Sequence, residues 1–251
     1  MHIERIGFTP IKGGRHVEHP SVGLALDGPL GDRLFCLVDL QRGRVLRTVD
    51  NPALLATTAR WQHGQLRVEI DGRVVTAEPR STGKKLTLEY WGRPAEVEVV
   101  DGPWADAYSA YLGRDVAFTR AVRSGELVYG ASVTLITTGA LRLLEEKLGH
   151  GVDSSRFRAN LVIDSDDLEP HVEDSWTGGE LHIGSARLRV MDAVDRCAVI
   201  DFDPATGASG SHLLTTLAGY RLRSGTIDFG MYAEVTSPGL VERGQTVMFS
   251  P

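Results

Sequence analysis

From Ile3 to about Val100 short apolar runs alternate with polar positions and turn residues, as in IERIGFTP, LFCLVD, GRVL, LRVEIDGRVVTA, LTLEYW and AEVEVV. The two-residue period in LRVEI, and Asp71-Gly72 between two such runs, predict antiparallel hairpins. One helix is expected in this half, opening at Pro52 and running through ALLATTA, because proline suits the first helical position. The texture changes near Gly102-Pro103. Trp104, Ala107, Tyr108 and Tyr111 then recur at helical spacing, which predicts a helix over WADAYSAYL and a domain boundary giving residues 1–101 and 102–251. A second helix is expected from the pair Thr137-Thr138 through ALRLLEEKL to Gly149, capped by hydroxyls at its start and by glycine at its end. Strand-like runs follow in ANLVI, ELHIGSARLRVMDAV, CAVIDF, FGMYAEV and QTVMF, with a short helical stretch at LLTTLAGY. So few helices among so many strands exclude a doubly wound sheet. They predict a mostly β, α+β chain with a barrel-like C-terminal body behind a β-rich N-terminal domain.

Bulk properties narrow the function by exclusion. The chain of 251 residues has room for one or two domains, and its net charge of -6 offers no electrostatic basis for nucleic acid or an anionic membrane as partner. Two distant cysteines cannot form a disulfide scaffold, and the start MHIERIGF lacks the apolar core of a signal peptide, so a reducing, cytoplasmic setting is expected. Phosphate-binding P-loop, dinucleotide, H-E-x-x-H, G-x-S-x-G and paired C-x-x-C signatures are all missing.

What remains is a thiol and a set of cations. Cys197 follows Asp195-Arg196 at the end of an apolar run, and a neighbouring arginine favours the thiolate, the form that attacks or binds soft metals. Lys12 and Arg15 in PIKGGR, Arg33 in GPLGDR, and Arg156, Arg158 and Asn160 in SRFRAN all stand beside turns or strand ends. Arginine grips phosphate bidentately, and hydroxyls such as Thr137 and Thr138 at a helix start add donors. Each of these is, alone, an ordinary surface charge or cap; together with the cysteine they describe a phosphate-bearing ligand and a thiolate. His16 and His19 have metal-pair spacing but no third ligand nearby, and are expected to be solvated loop residues. Cys36, inside LFCLVD, is expected in the core.

The ordered strings PIK, GLALDGPLGDRLFCLVD, ITTGAL, RFRAN, EDSW, IGSARLRV, DRC, DPATG and FGMYAEV resemble the MOSC family, named after the C-terminal domain of molybdenum cofactor sulfurase. The first hundred residues are similar to the N-terminal β-barrel domain of its two-domain members, which include the amidoxime-reducing component and its bacterial relatives. The resemblance implies a molybdenum cofactor, with Cys197 as catalytic residue and metal ligand. Its phosphate is then held among Lys12, Arg33, Thr137, Thr138, Arg158 and Asn160, with Arg196 beside the cysteine. It further implies an oxidoreductase acting on small N-hydroxylated or N-oxide compounds. With no flavin, haem or iron–sulfur motif in the chain, electrons must come from a separate protein. The alternative is a sulfur-transfer or cofactor-carrier protein working through a persulfide on Cys197. Five positions depart from the family pattern: Gly13 stands for a serine, Ala159 for a proline, Asp195 for a serine two before the cysteine, and Tyr129 and Ser132 align with an aspartate and a proline. Glu173, Asp174 and Trp176 of EDSW are expected either to cap or brace the site or, equally, to serve a structural role.

Overall fold

A computed structural model describes residues Met1–Pro251. It is mostly β, with α1 at Trp104–Leu112, α2 at Thr138–Leu148 and α3 at Leu213–Arg221. The stretch after Asn51 is one turn of 3-10 helix, Pro52–Ala56, rather than an α-helix, since Thr57 turns extended and its N–H bonds Leu54 O. The Asp71–Gly72 hairpin forms as expected, pairing Ile70 with Arg73.

Two β bodies organise the chain. The larger is a nine-stranded sheet in the order Val17–His19, His2–Phe8, Leu161–Asp164, Val133–Thr137, Thr226–Ser237, Ala186–Asp195, Glu180–Ile183 and Val247–Ser250, with Leu222–Arg223 paired off its path. It curls until its ends meet: His2 bridges Thr246, and Val247 N–H bonds Met1 O at 3.0 Å. Inside the curl lies a core of 20 buried residues that includes Ile3, Leu135, Leu161, Leu188 and Val247. Val133–Thr137 and Leu161–Asp164 run parallel, and α2 makes the crossover that a parallel pair requires. The second body is a closed barrel of Phe35–Asp39, Arg44–Val45, Arg80–Tyr90, Arg93–Asp101 and Val116–Ala121. Its interior holds Cys36, Val38, Leu88 and Val97. A meander, Thr58–Gln62, Gln65–Ile70 and Arg73–Ala77, lies beside it, and α1 packs Trp104 and Tyr108 onto Phe118, with Leu66 and Val68 in the same cluster. Burying such side chains contributes about 1.5–3 kcal/mol each.

Residue 101 does not separate the two bodies. His2–Phe8 pairs with Leu161–Asp164, and Ser21–Ala25 with Gly239–Glu242, while Val116–Ala121 closes the N-terminal barrel against Phe35–Asp39. The Gly102-Pro103 break marks the entry to α1 and not a change of sheet, because strand partners far apart in sequence leave no trace in local composition.

Candidate functional site

The two bodies meet at a cavity of about 270 Å³ whose walls come from both. On one side lies the loop after His2–Phe8. Ile11 bridges Phe35, Lys12 N–H bonds Phe35 O at 2.8 Å, and the chain turns back at Gly13, where φ is +91°. A Cβ there would stand 2.8 Å from Leu54 Cδ1. The departure from serine at Gly13 therefore has a local cause in backbone and packing. The same loop is tied to the second cationic segment, since Arg33 N–H bonds Thr9 O at 2.8 Å.

On the other side the long strand Ala186–Asp195 runs out. Arg196 N–H bonds Ile227 O at 2.8 Å, and Cys197 is the extended residue that opens a 3-10 helix, Ala198–Asp201. Its thiol is exposed. Cys36 is wholly buried in the barrel, 3.1 Å from Thr119 Oγ1, and burial pushes its thiol up to about 11. Asp195 forms no pair with Arg196; its carboxylate accepts the Ile227 N–H at 3.1 Å. Arg196 instead donates to Phe229 O and Phe157 O, both at 2.7 Å, and its buried Nη2 has no acceptor.

Lys12, Arg33, Arg158, Arg196 and Cys197 all line this one cavity, as does Arg156. Lys12, Arg158 and Arg196 have no carboxylate partner, while Arg156 faces Asp203 at 3.7 Å. Lys12 lies 4.8 Å from the Tyr90 ring centroid, and burial, with Arg33 and Arg158 nearby, lowers its amine to about 7. Arg158 gives one N–H to Gly14 O at 2.8 Å; burial and then Arg33 lower it to about 9, so it stays charged at neutral pH. Arg33 pairs with the buried Asp32. Both Arg33 and Arg158 sit in left-handed backbone, φ +47° and +53°, a conformation uncommon outside glycine and concentrated at binding sites.

Arg15 lies outside the walls, bonding Leu55 O at 3.2 Å, and so do three of the residues that the resemblance assigns to the cofactor. Thr137 is fully buried at the N-terminus of α2, accepting from Ala140 N–H and donating to Glu173 Oε2 at 2.7 Å. Thr138 donates to Asp166 and accepts from Ser165 N–H at 3.0 Å. In the strand that leads into α2, the threonine that does line the cavity is Thr134. Period-two parity within VTLIT carries the signal, because Val133 and Leu135 point to the sheet core and Thr134 to the opposite face. Asn160 stands one layer back: its Oδ1 accepts from Thr134 N–H at 3.0 Å and its Nδ2 donates to Asp32 at 3.1 Å. It thus braces Thr134 and, through Asp32, Arg33. In EDSW, Glu173 serves the α2 cap, Asp174 takes a two-pronged grip from Arg221 at 2.7 and 2.8 Å, and Trp176 is core.

The histidine pair corrects an expectation. His16 is buried, 3.4 Å from Arg33 Nη2, and His19 stacks on Phe8 at 3.7 Å, so neither is a solvated loop residue. Burial first, then Arg158 and Arg33, hold His16 well below its usual range. No cluster of three His, Cys, Asp or Glu side chains has metal-site geometry. No helix is long and apolar enough to cross a membrane.

The MOSC domain family matches residues 116–248, more than half of the chain. The chain belongs to the MOSC domain family. Among relatives, mitochondrial amidoxime-reducing component 1 of Homo sapiens is 33% identical over 122 residues, 45% of this chain and 35% of that protein. Molybdenum cofactor sulfurase of Oryza sativa subsp. japonica is 39% identical over 278 aligned positions, 92% of this chain and 32% of that protein. This MOSC protein thus spans about a third of the length of either relative. The solved YUAD protein from Bacillus subtilis is 12% identical, with a TM-score of 0.47 over 98% of this chain and 93% of that one. The MOSC match begins at Val116, yet the cavity that Cys197 lines also takes Lys12 and Arg33, well before it.

Proposed function

We propose that the protein binds a molybdenum cofactor in this cavity and acts as an oxidoreductase on small N-hydroxylated or N-oxide compounds. The observation that carries the reading is one cavity holding an exposed thiol and cations short of acceptors: Lys12 has no carboxylate partner, and Arg196 keeps a buried, unpaired Nη2. Those donors fit an anionic, phosphate-bearing pterin, and a soft thiolate suits a metal already surrounded by sulfur. Lys12, Arg33 and Arg158 would hold the phosphate, Arg196 would meet further acceptors, and Cys197 would ligate the metal. When bound, the group supplies two-electron chemistry at which an oxygen atom can leave a substrate. Around it the chain's own residues neutralise charge and hold position, with Asn160 fixing Thr134 and Asp32 fixing Arg33. Reduction of an N–OH compound to N–H consumes two electrons and two protons, breaks the N–O bond and releases water. A chain with no redox cofactor motif of its own would take those electrons from a separate donor protein.

A second reading, a carrier of sulfur or of the cofactor, is favoured by the exposure of Cys197 and by the long alignment with a molybdenum cofactor sulfurase. Metal and pterin analysis of gently purified protein separates the two. Stoichiometric molybdenum, with reduction of N-hydroxylated compounds that disappears in Cys197→Ser while the fold persists, is the expected result. Metal-free protein carrying cyanide-labile sulfur on Cys197 would reject the reductase and establish the carrier.

A further inference from the structure

The rim of the cavity carries an aromatic pair that neither the cation set nor the thiol explains. Trp91 and Tyr129 both line it, their ring centroids are 4.9 Å apart with planes tilted by 48°, and they are 48% and 56% exposed. They come from different elements, since Trp91 tips the hairpin between Arg80–Tyr90 and Arg93–Asp101, while Tyr129 lies in the segment that precedes Val133–Thr137. Two half-exposed rings in contact at a cavity mouth offer apolar faces on which a third ring can pack.

The backbone adds a second, independent observation. Trp91 has φ +54° and Gly92 φ +78°, between the paired residues Tyr90 and Arg93, so the two form a turn with both central residues left-handed. Three other two-residue turns in the chain have the same form: His63-Gly64, Asp71-Gly72 and Ser224-Gly225. Those turns use polar residues at the first position, two of them small. A bulky tryptophan is a conformational outlier there, and the turn itself would favour Asn or Asp. Strain of this kind concentrates where a side chain serves a ligand. Arg47 lies 5.4 Å from the Trp91 ring centroid and is itself paired with Asp50, which helps fix the indole on the rim.

We infer that Trp91 and Tyr129 determine specificity, selecting substrates that carry a planar aromatic or heteroaromatic ring beside the group presented to Cys197. The inference rests on the proposal that small N-hydroxylated compounds enter this cavity, and it concerns only what the rim recognises. Offset or tilted ring contacts supply selectivity without any charge, which suits neutral rings next to a cationic wall.

The test uses benzohydroxamic acid and acetohydroxamic acid, which share the N-hydroxyl group and differ by a ring against a methyl. Binding to the purified protein is measured calorimetrically, and KM and kcat are measured where the protein turns them over. Trp91→Asn and Tyr129→Ser are each expected to weaken binding of the aryl probe about tenfold, the scale of one good aromatic contact, and to leave the methyl probe within about twofold. Trp91→Phe should restore most of the aryl preference. The loss should fall on KM and not on kcat, and Trp91→Asn should melt at or above the parent's temperature because asparagine suits the turn. Equal losses for both probes, no aryl preference in the parent, or a Trp91→Asn protein that melts well below it would overturn the inference. Failure of the reductase proposal is separately visible, since a protein without turnover that still shows the Trp91-dependent aryl preference in binding retains the rim's role.

Discussion

Lys12 and the two cysteines show how burial assigns chemistry to residues of one type. Cys36 and Cys197 are both free, but only Cys36 has lost its water, and its thiol is correspondingly harder to ionise. At Lys12 the same desolvation acts with the opposite sign, lowering the amine from 10.5 to about 7, and Arg33 and Arg158 add to the effect. Between about pH 7 and 10.5 the folded protein has released a proton that the unfolded chain still holds. Stability therefore rises with pH across that window, and protonation below it works against the unliganded fold. An anion reverses the preference by supplying the missing counter-charge. Binding of sulfate near pH 8 should accordingly take up as much as one proton per ion, read as a dependence of the calorimetric heat on the buffer's ionisation enthalpy. Lys12→Met should abolish that uptake. Sulfate heats identical in all buffers for the parent protein would remove Lys12 from the anion site.

At the scale of elements, the hydroxyls at the start of α2 serve the helix and not the cavity. Thr137 joins two buried groups, the first turn of α2 and Glu173, whose Oε1 has no hydrogen bond and only His171 Nδ1 at 3.8 Å. Thr137→Ala should destabilise the fold by about 2–4 kcal/mol, one cap plus one buried carboxylate oxygen left without its donor. Retention of the cofactor or of sulfate by the folded fraction should be unchanged, which a denaturant melt and a binding titration on the same variant would establish. Weakened binding without loss of stability would return Thr137 to the site. Thr134→Val should weaken binding and also cost some stability, because the hydroxyl of this cavity-lining residue donates to Asn160 Oδ1 at 3.2 Å and accepts from Asn160 N–H at 3.3 Å, while the Thr134 N–H bond to Asn160 survives the change.

For the molecule as a whole, the site depends on chain crossings between the two β bodies. Ile3, Ile6, Phe8, Val22 and Leu24 belong to the same core as the MOSC strands. At about 1.5–3 kcal/mol each they contribute roughly 7–15 kcal/mol, the size of a typical domain's entire net stability. A fragment of residues 102–251 should therefore fail to fold cooperatively, lacking the strand that pairs with Leu161–Asp164 and the one that pairs with Gly239–Glu242. Far-UV circular dichroism and a thermal melt decide it: a sharp two-state transition in the fragment would show that the body does not need these strands. Such an architecture keeps Lys12 and Arg33 in the same cavity as Cys197 by covalent continuity with the core, not by the docking of a separate module.

Local chemistry in the sequence was enough to specify the helix Trp104–Leu112, the helix ended by Gly149 and the Asp71–Gly72 hairpin, and to single out the cysteine and most of the cations that line the cavity. Periodicity, capping and turn residues act within a few positions of one another, so they can be read without knowing the fold. Which hydroxyl meets the cavity, where the sheets divide, and that Trp91 stands beside Tyr129 were settled only by tertiary pairing. Those contacts join residues far apart in the chain, and their energy lies in buried area and strand register, neither of which leaves a mark on the neighbouring sequence.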